Sequence, residues 1–469
     1  MSTSKTSPSI IPADSLNMLS AEQIVAKIKA RAFSCQDLLA YYQAQYQLHN
    51  NRINAIVATG FNAAKKRAIA ADEALAKGED WGPLHGLPMT IKDCFEVVGM
   101  PTTAGNPIYK NYHSRANAEA VERLINAGAI VFGKTNVPLN AADIQSYNTI
   151  YGTSNNPWDL RKTPGGSSGG AAAALAAGLS PVELGSDIGG SIRIPSHCCG
   201  IFGHKPSHGI VPLKGHIPDA PGTLAVPDLE VAGPMAKTPE DLSMLLDILT
   251  MPDTTNSDGW ALTLSSTAKK SLRDYKVLAW FDDDAAPIDK EMRQRYQTLV
   301  GMLKENGAQV DEGAPAQLSL IDFYVPYLKL LVGEVATAMP MQERIKASLL
   351  SPLLSLAGRF IGFPVAFLNA LGSVSQSHRS WKKTNEQRLQ LAARLDSTFD
   401  EYDIILMPVA PTTAIAHNQK GDLPLRVIDV NGEKRNYTEQ FPWISFASLL
   451  GLPATSAPIA ITDEGMPMN

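Results

Sequence analysis

Cysteine is scarce in this chain, with four in 469 residues. Cys35, Cys94, Cys198 and Cys199 are too few to staple a protein of this length with disulfides, and the adjacent pair fits no zinc spacing. Buried, reduced thiols in a cytoplasmic protein are the reading. An excess of basic charge is also missing: 41 Lys and Arg stand against 46 Asp and Glu, a net charge of -5. That balance gives no electrostatic ground for nucleic acid or an anionic membrane. The opening MSTSKTSPSIIPADSLNML lacks the apolar run of about 7–15 residues of a secretory leader. Residues 1–19 therefore read as a flexible arm, and 20–469 as one domain. Histidine is sparse, nine in all, and no His-Glu-x-x-His pattern occurs, so neither metal nor cofactor is expected. What remains is an ordinary globular composition, 44% hydrophobic and 19% charged.

The longest apolar stretch, 323–372, is interrupted by Pro326, Pro340, Pro352, Arg359 and Pro364. A membrane-spanning helix needs about 20 mostly apolar residues. Leu349–Leu371 reaches that length, but Arg359 and Pro364 break it. A bundle of short helices lining a hydrophobic pocket is preferred to membrane contact, with Phe360, Phe363 and Phe367 as candidate substrate-binding residues.

Elsewhere, helices alternate with short apolar strands, the pattern of a largely parallel sheet covered by helices. Ser20 with Gln23 and Ser34 with Asp37 read as capping boxes. Pro88–Ile91 and Ala129–Phe132 read as strands flanking a helix over Ala118–Ala127, with Asn117 as N-cap and Gly128 at its end. A later unit predicts strand Val277–Phe281, helix Ile288–Glu305 and strand Asp403–Met407. No repeats, heptads or low-complexity tracts appear.

Three segments carry chemistry. Gly165-Gly166-Ser167-Ser168-Gly169-Gly170 runs into the alanine-rich stretch Ala171–Gly178, so a helix should start near Gly169. Glycines before a helix let backbone approach a ligand, and hydroxyls there feel its positive end. A Gly/Ser linker with a capping serine reads the same residues, although the adjoining helix argues against it. In Asp187-Ile188-Gly189-Gly190-Ser191-Ile192-Arg193, two glycines expose successive N–H groups beside a hydroxyl, as an oxyanion hole requires; each donor is worth ~2.7–4 kcal/mol in the transition state. A tight turn capped by Ser191 is the competing reading. A serine nucleophile needs a base. No histidine is nominated by spacing, but Lys92 ends the apolar run Leu87–Ile91. Burial would lower its pKa from ~10.4 and leave a neutral, proton-accepting amine. Surface lysines are commoner, so each segment alone is ambiguous.

Taken together the segments resemble the amidase signature family. The resemblance rests on Leu87–Asp93, Gly165–Gly170 and Asp187–Arg193. It extends through Gly133-Lys134-Thr135-Asn136, Cys199-Gly200, Gly203-His204-Lys205-Pro206 and Asp403–Pro408, covering roughly 20–465. It implies a Ser–cis-Ser–Lys triad: Ser191 attacks the carbonyl, Ser167, after a cis peptide, relays a proton, and Lys92 is the base. It further implies an oxyanion hole from the N–H groups of Ile188, Gly189, Gly190 and Ser191. Asp187, Arg193 and Ser168 would support these groups. The implied fold is α/β, a mixed twisted sheet of about eleven strands flanked by helices. Family members usually continue past a segment like Gly465-Met466-Pro467 into another strand and helix, whereas this chain stops at Asn469.

Other functions compete. Gly166-x-Ser168-x-Gly170 matches the nucleophile elbow of α/β-hydrolases, but no His-Gly-Gly-Gly oxyanion motif accompanies it. The amidase component of a tRNA-dependent amidotransferase would share the triad. Such components usually carry a Leu-Asp-Gln-Ile-Gly-Pro-like stretch where this chain has Leu229-Glu230-Val231-Ala232-Gly233-Pro234. The region Tyr151–Trp158 instead resembles the branch of fatty-acid amide hydrolases, aryl acylamidases and urethanases. The expected partner is a small amide, ester or carbamate, without nucleic acid; oligomeric state is not legible.

Overall fold

The computed structural model describes residues 16, 18–217, 220–250, 259, 262–360 and 365–469. Regular structure begins where the capping boxes stand. Ser20 and Gln23 bond reciprocally at the start of α1 (Ala21–Lys29), as Ser34 and Asp37 do for α2 (Cys35–Ile53). Leu16, inside the expected free arm, is 1% exposed and sits in the same apolar cluster as Ile24 and Ile28. The arm is thus docked at that point; residues 1–15 lie outside the described residues.

Next come β1 (Ile56–Thr59), α3 (Phe61–Ala76), β2 (Pro88–Lys92), α4 (Glu119–Asn126) and β3 (Ile130–Thr135). They are followed by α5 (Gly169–Ala176), β4 (Val182–Asp187), α6 (Arg193–Cys199), β5 (Phe202–Lys205), β6 (Val231–Ala236) and α7 (Pro239–Leu249). Helix α4 begins at an N-cap Ala118 without a side-chain cap bond, not at Asn117. The Asn117 amide is taken elsewhere: it accepts from the Val98 N–H at 2.8 Å and donates to Glu122 at 2.6 Å. Strands β3, β2 and β4 lie side by side and parallel, the product of helical crossovers. The sheet is otherwise antiparallel: β1 pairs with β3, and β6 with both β4 and β5.

A second, wholly parallel sheet consists of β7 (Lys276–Ala279), β8 (Gln309–Glu312) and β9 (Ile404–Leu406), in the order β8-β7-β9. Helix α8 (Lys290–Glu305) bridges β7 and β8 and packs Val300 onto Val277, Ala279 and Val310. With its own small core, this unit pairs internally. The hairpin β10 (Val427–Val430) and β11 (Glu433–Asn436) also stands apart, while β12 (Ala454–Ser456) returns to pair with β5. Among the described residues the central sheet therefore has seven main strands, β1-β3-β2-β4-β6-β5-β12, where about eleven were expected.

The apolar stretch forms α9 (Leu320–Val335), α10 (Met341–Phe360) and α11 (Val365–Ala370), packed with α12 (His378–Glu401) and α13 (Pro442–Leu449). The helices are longer than expected: α9 passes through Pro326 and α10 through Pro352. An interior proline costs a helix ~3 kcal/mol. In α9 the burial of Leu320, Phe323, Tyr324, Tyr327, Leu328 and Leu330 offsets that loss. Among the described residues no helix is long and apolar enough to cross a membrane.

Candidate active site

Parallel neighbours β2 and β4 end at the same edge of the sheet, with Ile91 opposite Leu184. Their last residues, Lys92 and Ser186-Asp187, therefore emerge together, where open α/β sheets commonly bind ligands. Every residue of β4 is buried although Glu183, Ser186 and Asp187 are polar. A buried strand carrying such groups must bond each of them internally.

Lys92 is fully buried. Its Nζ lies 2.7 Å from Ser167 Oγ, 3.0 Å from Ser186 Oγ and 3.2 Å from the Ser186 carbonyl. All three partners are neutral oxygens. Burial holds its pKa below the usual lysine value, against the opposing fields of Cys94, Glu230, Asp187 and Glu183. Asp93 faces away, as alternation along a strand requires, and pairs instead with Lys134 at 3.2 Å.

Ser167 follows a cis peptide after Gly166. The loop is packed so closely that a Cβ on Gly166 would sit 2.5 Å from the Gln145 nitrogen. Ser168 donates its N–H to the Ser191 carbonyl at 3.1 Å, which brings the loop against residue 191. The Ser168 hydroxyl donates at 3.3 Å to the same Ser186 carbonyl that Lys92 contacts.

Asp187 organises the turn into α6. Its carboxylate accepts from the N–H groups of Gly190 at 2.9 Å and Ile192 at 3.1 Å, and from Arg193 Nε and a terminal nitrogen at 3.0 and 2.9 Å. Burial alone would raise the Asp187 pKa, but Arg193 outweighs it and holds the group at about 2. Arg193 also donates to the Ile444 carbonyl at 2.9 Å and to Ser448 Oγ at 2.7 Å, fastening the turn to α13. Gly190, expected to offer its N–H to an oxyanion, thus has it engaged by Asp187. The N–H groups of Ile188, Gly189 and Ser191 meet no acceptor among the described residues.

A family model described as Amidase matches residues 37–468. The chain belongs to the amidase signature family. It is a hydrolase acting on amide C–N bonds. It is 30% identical to fatty-acid amide hydrolase 2-A of Danio rerio, over 97% of this chain and 85% of that protein. It is also 30% identical to fatty-acid amide hydrolase 2 of Homo sapiens, over 97% and 85% respectively. A glutamyl-tRNA(Gln) amidotransferase component of Chromobacterium violaceum is equally 30% identical, over 96% of this chain and 92% of that protein. In fold the chain matches a bacterial aryl acylamidase with a TM-score of 0.78, 23% identity, and coverage of 96% of this chain and 91% of that one.

In this amidase several site residues escaped the sequence. Ser186 touches Lys92 directly. His216 Nε2 lies 2.9 Å from Ser186 Oγ and 3.5 Å from Glu230. Burial keeps the His216 pKa well below its ordinary value. No local spacing announces His216; the polar residues within a buried strand were the usable sign for Ser186. Beside the glycine loop, a Cβ on Gly189 would meet Tyr327 Oη at 3.4 Å and Phe441 at 3.5 Å. These rings, from α9 and the start of α13, form a wall against Gly189. Of the expected pocket residues, Phe367 is partly buried in the cluster containing Tyr327. Phe363 lies outside the described residues, as does the side chain of Phe360. A separate cavity of about 610 Å³, lined by residues including Lys162, Thr412, His417, Asp429 and Glu464, shares none of Lys92, Ser167 or Ser191.

Proposed function

We propose that this amidase is a free-standing cytoplasmic enzyme that cleaves neutral, hydrophobic acyl or aryl amides through Ser191, Ser167 and Lys92. Carbamates and esters present the same carbonyl and fall within its reach, so a urethanase activity belongs to the same reading. The observation that carries it is Lys92: a buried lysine, 2.7 Å from a serine hydroxyl and contacting only neutral oxygens. An ammonium buried without an anionic partner is costly, so the amine is neutral and can accept a proton.

In the reaction, Ser191 attacks the carbonyl while its proton passes to Ser167, and the Ser167 proton to Lys92. The developing oxyanion is met by the free N–H groups of Ile188, Gly189 and Ser191. Lys92 returns the proton through Ser167 to the leaving nitrogen, giving an acyl-enzyme on Ser191 and a free amine. Water, deprotonated by the same route, then releases the acid. The wall of Tyr327 and Phe441, with Phe367 in the same apolar cluster, favours an uncharged acyl group.

A second reading, the amidase component of a tRNA-dependent amidotransferase, is favoured by the 30% identity to the Chromobacterium violaceum protein. A panel of p-nitroanilides, fatty and aryl amides, esters and carbamates, run beside a glutaminase assay and a pull-down for partner proteins, separates the two. Wild-type enzyme should hydrolyse hydrophobic amides alone in solution. Ser191→Ala should abolish this with the fold intact, and a phosphonyl fluoride should label Ser191. A label on Ser168, or activity confined to glutamine in a complex, defeats the proposal.

A further inference from the structure

We propose that Tyr327 is a positioning residue for the oxyanion loop, holding the peptide between Ile188 and Gly189 so that the Gly189 N–H faces the reacting carbonyl. This rests on the reading of Ser191 as nucleophile. Tyr327 is fully buried, and its hydroxyl donates to the Ile188 carbonyl at 3.1 Å. Burial pushes its phenol well above the usual range, so it remains a donor at any working pH.

A trans peptide is planar, with its C=O and N–H pointing in opposite directions. Fixing the Ile188 oxygen from one side therefore fixes the Gly189 hydrogen on the other. This anchor matters because Gly189 and Gly190 have no side chains to stiffen the loop. The later half of the loop is held by Asp187 through Gly190, Ile192 and Arg193. The earlier half is held by Tyr327.

The anchor is itself rigid. Helix α9 packs along α13, with the Phe323 and Phe446 rings edge-on at 5.0 Å, and Tyr324 donates to the Thr438 carbonyl at 3.0 Å. Helix α13 in turn holds Arg193 through Ile444 and Ser448. Two packed helices thus grip the glycine turn from both ends. The wall that would contact the acyl group is then continuous with the device that aims an oxyanion donor.

The test is Tyr327→Phe in the full chain, which removes one oxygen and keeps the ring. Initial rates are measured on a p-nitroanilide and the p-nitrophenyl ester of the same acyl group, across pH, together with the rate of Ser191 labelling by a phosphonyl fluoride. Losing an oxyanion donor outright costs ~10²–10³ in kcat, so loosening one should cost roughly 10-fold. The expected result is that loss in kcat for both substrates and in labelling rate, with KM little changed and the pH midpoint unmoved. Tyr327→Met, which also lacks the hydroxyl, serves the same comparison if the phenylalanine variant does not fold. An unchanged kcat, a rise confined to KM, or a shifted pH midpoint overturns the inference. If instead the wild type is inactive on the panel or Ser191→Ala stays active, the triad reading itself fails.

Discussion

Lys92 and Asp93 are adjacent in sequence yet live in opposite electrostatic settings. Asp93 is neutralised by Lys134, while Lys92 faces three neutral oxygens. The direction of the pH dependence follows. The folded-state pKa of Lys92 is lowered by burial, and the proposed chemistry needs its unprotonated form. Activity should rise with pH through that lowered pKa and plateau on its alkaline side. Lys92→Ala should flatten the rise and reduce amide hydrolysis by about 10²–10⁴-fold. Ester hydrolysis should fall less, because an amine leaving group must be protonated. Rate profiles on an amide and ester of one acyl group check this; an unaltered profile in the variant removes Lys92 from the role of base.

In the proposed function, helices α9, α11 and α13 supply the apolar side of the site; Phe367 on α11 lies in the same cluster as Tyr327. Phe367→Ser should lower kcat/KM for bulky acyl amides while sparing a small ester, because it changes the wall and leaves Lys92 and Ser167 untouched. The comparison is a ratio of specificity constants, so partial loss of folded enzyme cancels. A constant ratio would place acyl recognition elsewhere. Local rules succeeded at this scale where all the partners lie within one turn, as in the boxes at Ser20 and Ser34. They failed at Asn117, whose amide is claimed by the Val98 backbone and the Glu122 side chain, and at Pro326, where tertiary packing carries a helix past its usual stop.

Across the molecule, Asp143 and Arg426 join distant parts of the chain through a buried pair at 2.6 Å, with Tyr437 donating to the same carboxylate at 2.8 Å. Arg426 immediately precedes the β10–β11 hairpin, so the pair fastens that hairpin to the loop beside Gly166. Removing one member of a buried pair strands the other's charge and costs about 3–5 kcal/mol. Asp143→Ala should therefore lower Tm measurably by calorimetry, and an unchanged Tm would show that solvent reaches Arg426.

The sequence by itself marked the proposed reacting groups as three glycine-bounded or strand-end segments, because a hydroxyl beside bare backbone and a lysine closing an apolar strand are local chemical statements. It also anticipated helix starts, since caps are short-range hydrogen bonds. Tertiary structure alone decided that β2 and β4 are neighbours, which puts Lys92 against Ser186 and, through Ser186, His216. It decided that Asp187 takes the Gly190 N–H, leaving three loop donors rather than four without an acceptor among the described residues. It also brought Tyr327 and Phe441 to Gly189 from far along the chain. Such contacts depend on which strands pair and which helices pack, and these are set by long-range burial that no window of residues records.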